Sequence, residues 1–180
     1  MMTRGASLMY SAAVLLLFCA CTQGPRPYYN RSVGGYITPT AAMTPVAAVP
    51  KDLPEPSDTR VSRLRRAAEA YIGTPYARGG QSRSGMDCSG FIRQVFAETY
   101  GMSLSRSSRD QWKEGRPVAR QDLRPGDVVF FKVLGIIDHS GLYMGNNYFI
   151  HSATSVGISY STLDAPYFGA HYAGARRMLD

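Results

Sequence analysis

The sequence predicts an α+β domain in which helices come first and an antiparallel sheet of about five strands follows. Three observations predict it. Residues 58–72 and 87–101 each set apolar residues at helical spacing behind an aspartate and ahead of a glycine. Arg124-Pro125-Gly126-Asp127 is a turn sequence, and beyond it the chain reads as short strands. This order packs a helix block on a sheet, so that a helix end meets a sheet face.

In the first helix Val61, Leu64, Ala68, Tyr71 and Ile72 share a face, Arg60, Arg63 and Arg66 point to water, and Gly73 with Pro75 ends it. The second starts at Cys88 behind the N-cap Asp87, repeats through Phe91, Ile92, Val95 and Phe96, and stops at Gly101. A short third helix is expected from Ser107 to Glu114. The expected strands are Val128–Val133, Ser140–Met144, Tyr148–Ala153, Val156–Ser161 and Tyr172–Met178. Gly79-Gly80 reads as a tight turn, since no strand and P-loop lysine accompany it, and Trp112 as a packing residue.

Residues 1–20 have the form of an export signal: Arg4, then a short apolar run from Leu8 to Phe18 that cannot span a bilayer. Ala20-Cys21 resembles a lipobox, which implies cleavage and a lipid on Cys21. Phe18 departs from the usual residue, and the alternative is an ordinary signal peptide with an incidental cysteine. Thr22 implies, by the same resemblance, sorting to the outer membrane facing the periplasm. Residues 22–57 hold seven of the eleven prolines and no periodic pattern, so 21–57 reads as the lipidated cysteine and a flexible tether. The domain is expected over 58–180.

The chain has 180 residues and a formal charge of +7, which becomes +6 once Arg4 leaves with residues 1–20. Export argues against nucleic acid as the partner. A basic exported surface suits anionic lipid or a carboxylate-bearing wall polymer. Of three cysteines, Cys19 would leave with the signal and Cys21 would be acylated, so Cys88 would be the free thiol in an oxidising compartment.

At a helix N-terminus the backbone N–H groups and the dipole favour a thiolate at Cys88. Asp87 opposes this, so a positive partner is needed, and a protonated histidine would serve. The sequence offers His139, His151 and His171. A two-residue loop at Asn146-Asn147 would pair residue 139 with 154 and send His151 to the other face from His139. An odd loop or a bulge would instead pair 141 with 151 and bring the two histidines together as same-face diagonal neighbours. The second arrangement is expected.

Thr74-Pro75-Tyr76-Ala77-Arg78-Gly79-Gly80, Asp87-Cys88-Ser89-Gly90-Phe91, Asp138-His139-Ser140-Gly141-Leu142-Tyr143 and Asn146-Asn147-Tyr148-Phe149-Ile150-His151-Ser152 stand in this order along the chain. Together they resemble the NlpC family of cell-wall cysteine peptidases, most of all its Spr-type lipoprotein murein endopeptidases. The resemblance implies a papain-like core, Cys88 as nucleophile, His139 as base, and His151 as the polar residue that orients His139. It also implies that Tyr76 sets its hydroxyl near the sulfur. The substrate it implies is a peptidoglycan stem peptide, cut at D-alanyl-diaminopimelate or at D-glutamyl-diaminopimelate. Ser140 stands where the family more often has valine, and the expected consequence is altered packing rather than lost activity.

The Cys88 N–H, assisted by Tyr76, is the expected oxyanion donor. Asp87, Ser89, Arg106, Ser107 and Gln111 either line a substrate groove or cap and solvate their helices. No cofactor or metal is expected, and the catalytic domain is expected to be monomeric. Two alternatives remain at this point. One is a zinc hydrolase with Cys88, His139 and His151 as ligands. The other is a wall-binding lipoprotein that kept the fold without turnover.

Overall fold

A computed structural model describes residues 28–30, 35–37 and 49–179. The export segment 1–20, Cys21 and Thr22 lie outside these residues. Within the expected tether, β1 (Tyr28–Asn30) pairs antiparallel with β2 (Gly35–Ile37). None of the seven prolines of that region falls within either strand.

The domain starts before residue 58. Leu53 packs on the core, the Arg65 guanidinium donates to Pro54 O at 2.6 Å, and Asn146 Nδ2 donates to Asp52 O at 2.5 Å. Arg65 lies beside the apolar face that periodicity picked out, and its burial comes from this clamp. Asp58 accepts the Arg60 N–H at 2.7 Å and caps α1 (Thr59–Glu69). Arg60, Arg63 and Arg66 are exposed, as the pattern requires.

A tight hairpin of β3 (Gln81–Ser82) and β4 (Gly85–Met86) delivers the chain to α2 (Cys88–Tyr100). A Cβ on Gly80 would stand 2.3 Å from Gly85 O, so the turn closes only with glycine there. Asp87 caps α2 by accepting the Gly90 N–H, and Gly101 ends it at φ 68°. Next come α3 (Ser108–Gln111), capped by Ser107 and shorter than expected, and β5 (Arg116–Val118). The remaining elements are β6 (Val128–Val133), β7 (Ile136–Gly145), β8 (Tyr148–Ala153), β9 (Gly157–Thr162), α4 (Pro166–His171) and β10 (Tyr172–Arg177).

The main sheet has six strands in the order β5-β10-β6-β7-β8-β9, antiparallel throughout. The strand missing from the sequence reading is β5; it contains Pro117, which a sheet tolerates at its edge. Val128, Phe130, Leu142 and Ile150 on one face meet Leu64, Phe91, Val95 and Phe96 of the helices. Val129, Phe131, Tyr143 and Phe149 on the other meet Phe168 of α4. Trp112 packs edge-on against Phe130, with Arg176 over its ring.

The turn before β6 is locked by charge. Asp127 is 1% exposed, accepts the Arg124 N–H, and receives two 2.7 Å bonds from Arg177. Asp127→Ala leaves a largely buried guanidinium without its carboxylate and is expected to lower stability by about 3 kcal/mol, read from denaturant midpoints. Asp127→Asn, which keeps an acceptor, should lose less.

Candidate active site

Two irregularities in β7 set the site. Asn146 and Asn147 both take positive φ, 46° and 62°, so the β7–β8 turn is a two-residue loop of the I′ kind. A bulge between Tyr143 and Gly145 then shifts the register, leaving Tyr143 opposite Phe149 and Leu142 opposite Ile150. Continued along the strand, that register sets residue 141 opposite 151, the arrangement expected from the sequence. The His139 and His151 rings meet edge-to-face at 4.9 Å, with His139 Nε2 and His151 Nδ1 2.8 Å apart. His151 Nε2 in turn lies 2.9 Å from Ser161 Oγ. Ser161 is the diagonal neighbour of His151 on β9; a serine at every second place in an otherwise apolar strand was the signal for it.

A second bulge, between Phe131 and Lys132 of β6 as read against β7, lies beside His139. Phe131 pairs with His139, and Phe149 and Phe168 also pack on His151. This aromatic enclosure has an electrostatic consequence. Burial lowers the His139 pKa to about 4, with Asp138 opposing, and lowers His151 well below 6.5, with His139 adding to the effect. Both rings are therefore neutral near pH 7.

Cys88, at the first position of α2, is a free and buried thiol. Its sulfur lies 3.3 Å from Ser108 Oγ, which in turn lies 3.0 Å from Ser140 Oγ. The nucleophile is thus linked through Ser108 to the strand that carries His139. Burial raises the thiol pKa and Asp87 adds to that; Ser108, Ser140 and Ser89 pull it down. Burial therefore works against the thiolate facing a protonated histidine that is expected from the sequence, raising the thiol pKa and lowering that of the imidazole.

Asp87 is neutralised by a different residue from the one expected. Arg106 grips it with two bonds, 2.9 and 2.7 Å, while the Gly79 and Gly90 N–H groups and the Ser89 hydroxyl also donate to it. Burial alone would raise the Asp87 pKa, but Arg106 and those N–H groups hold it below the ordinary value. Asp87 is a cap and an ion-pair partner.

A groove of about 650 Å³ opens beside the sulfur, lined by Cys88, Ser89, Arg106, Ser107, Ser108, Arg109, Asp110, Lys113, Ile137 and Asp138. Ser89, Arg106 and Ser107 reach it, as proposed from the sequence. Gln111 does not: fully buried, it donates to Ser89 O and Ser105 O and ties the loop before α3 to the first turn of α2. Tyr76 is partly buried, and burial, followed by the charges of Cys88 and Asp87, raises its pKa, so it stands at the site as a protonated donor.

Sequence reading missed Ser108, Ser161, Phe168 and the place of Ser140. Alternation correctly puts Ser140 on the face away from the histidines, opposite Phe130. That face carries α2, so Ser140 lies at the nucleophile rather than in remote packing. The zinc arrangement does not fit: His139 Nε2 and His151 Nδ1 face one another at hydrogen-bond distance, and among the described residues no three His, Cys, Asp or Glu side chains cluster as ligands.

Histidines held neutral, His151 buried and His139 partly so, make stability depend on pH. Their folded pKa values lie below the unfolded 6.5, so the unfolded chain binds more protons as pH falls from 6.5 toward 4. Stability is complete above that window and should fall through it by on the order of 2 kcal/mol. Thermal midpoints measured against pH should show a shallower acid slope for His151→Asn than for wild type.

Comparison with known proteins gives a consistent result. The model of the NlpC/P60 family matches residues 73–177. The chain is 40% identical over 118 residues to the Murein DD-endopeptidase MepS/Murein LD-carboxypeptidase of Escherichia coli (strain K12), a match covering 66% of this chain and 63% of that relative, less than two thirds of its length. It is 42% identical over 113 residues to the Gamma-DL-glutamyl hydrolase of Bacillus subtilis (strain 168), covering 61% of this chain and 27% of that one. Among solved structures, an NlpC/P60 family protein from Bacillus cereus superposes with a TM-score of 0.64 at 32% identity, over 72% of this chain and 42% of that one.

Proposed function

The chain belongs to the NlpC/P60 family, and from that premise we propose that it is a peptidoglycan endopeptidase, a cysteine peptidase working through Cys88, His139 and His151. The observation that carries the reading is the placement of the sulfur, at the N-terminus of α2 and linked through Ser108 to Ser140, the neighbour of His139 on β7, beside a chain of contacts from His139 through His151 to Ser161.

That chain of contacts supports one set of tautomers. With His151 Nε2–H donating to Ser161, His151 Nδ1 is an acceptor, so His139 must carry its proton on Nε2. His139 Nδ1 is then the lone pair available as base. As the sulfur attacks an amide carbonyl, the Cys88 proton passes to His139 Nδ1. The developing oxyanion is met by the Cys88 N–H and the Tyr76 hydroxyl. The imidazolium then gives its proton to the leaving amine as the C–N bond breaks, which leaves a thioester. A water, deprotonated by His139, attacks the thioester, and the thiolate leaves and recovers that proton.

The DD-endopeptidase name of the Escherichia coli relative fits one of the two candidate bonds in murein, the D-alanyl-diaminopimelate cross-link; the D-glutamyl-diaminopimelate stem bond is the other candidate. The test is mass spectrometry of products from cross-linked muropeptides incubated with the purified protein: a new free amine at either bond supports the reading, and intact muropeptides refute it. Inactivation by alkylation with indifference to chelator is the expected inhibitor pattern. The reading extends to the N-terminus, where the export-like residues 1–20 and Ala20-Cys21 support a lipid on Cys21, and Thr22 supports a domain held at the outer membrane, facing the periplasm. Cys21→Ala should release the protein from the membrane fraction.

A further inference from the structure

Behind the nucleophile, three buried side chains form a line. Cys88 Sγ is 3.3 Å from Ser108 Oγ, and Ser108 Oγ is 3.0 Å from Ser140 Oγ. Exposures of 9%, 6% and 0% show that the line runs inward from the groove, ending at a fully buried Ser140. Cys88 comes from α2, Ser108 from α3 and Ser140 from β7, so the line exists only in the folded domain.

Hydroxyl groups can donate in either direction, but a thiolate can only accept. When the sulfur is charged, the Ser108 hydrogen must therefore point at it, and Ser108 Oγ is free to accept from Ser140. We propose that Ser140 is a positioning residue for the nucleophile: its buried hydroxyl donates to Ser108 and so fixes the Ser108 hydroxyl as a donor to the Cys88 sulfur. This rests on the reading of Cys88 as nucleophile. Without the Ser140 hydroxyl, the Ser108 hydroxyl can rotate away, and the sulfur would lose an aligned donor. Of the contacts that oppose the effect of burial on the thiol, the Ser108 bond is the strongest, so its alignment matters. A valine at this position, more usual in the resembled family, cannot supply the hydroxyl.

The experiment is the rate of Cys88 alkylation by iodoacetamide against pH in the full-length protein, which reads the thiolate directly and needs no turnover. Below the thiol pKa, Ser140→Ala and Ser140→Val are expected to alkylate about 3- to 10-fold more slowly than wild type, with the profile displaced to higher pH. Ser140→Thr, which keeps the hydroxyl, should restore the wild-type profile. Ser108→Ala should shift it at least as far, and Ser108→Ala/Ser140→Ala no further, because Ser140 acts through Ser108. Thermal unfolding of each variant separates a displaced profile from a loosened fold, and Ser140→Val, of similar shape to threonine, guards against a cavity artefact.

A Ser140→Ala or Ser140→Val profile that coincides with wild type overturns the proposal, as does a double variant whose shift is the sum of the singles. The two readings fail separately. If muropeptides are cut and the serine variants leave the profile unmoved, the serine line is wrong and the peptidase reading stands. If the profile moves as expected while wild type cuts no muropeptide, the serine line stands and the peptidase reading falls.

Discussion

Cys88→Ala is expected to lower muropeptide cleavage by ~10⁴-fold or more while leaving the domain folded. The activity loss follows from chemistry: without the sulfur no thioester forms, and what remains is substrate binding and the oxyanion donors. The modest structural effect follows from position. Alanine is the best helix former, Asp87 still caps the helix through Gly90, and Ser108 keeps Ser140 as a partner. Trimming one small buried group should cost about 1 kcal/mol. Product spectra and a thermal scan on the same preparation check both halves, and a variant that still cleaves would place the nucleophile elsewhere.

The second large effect is expected at His139. His139→Ala removes the acceptor of the thiol proton and the donor to the leaving amine, a loss of ~10³-fold in kcat/KM. His151→Ala should cost less, ~10-fold to ~10²-fold, since it orients the base rather than moving the proton. The pH profile distinguishes the roles. The base must be neutral, so wild-type kcat/KM should rise with pH through about 4 and then level, and His139→Ala should lack that acid limb. A wild-type limb near 6.5 would mean that the site is wetter than its aromatic walls imply.

What could be read from the sequence was local chemistry. Asp87, Cys88 and Gly101 mark α2 because caps act within a turn, and the observed helix has those limits. The histidine register was legible because a strand alternates with a period of two, so loop length and any bulge together decide whether 139 and 151 share a face. The structure reaches the odd register through a bulge after an even loop, a choice the sequence left open. Contacts across space were hidden. Ser108 meets Cys88 over 20 positions and Ser140 over 32, and neither spacing has a period. The neutral state of the histidines depends on Phe168, from a six-residue helix too short and glycine-interrupted to show helical spacing. Arg106 looked like a groove residue and is also the counter-ion of Asp87, a pairing that takes over the charge role expected of a histidine.

The clamp between residues 52–54 and the rim of β7 has a mechanical consequence. Asn146 and Arg65 grip the incoming chain at the turn end of β7, about 17 Å along the strand from Ser140. Tension passed along the chain into residue 49 meets that rim first, at those bonds and at Leu53 on the core. The histidine end of the strand lies beyond the point of purchase. A tug that tilts the whole domain therefore moves base and nucleophile together, and their alignment is the last thing a pulling force disturbs.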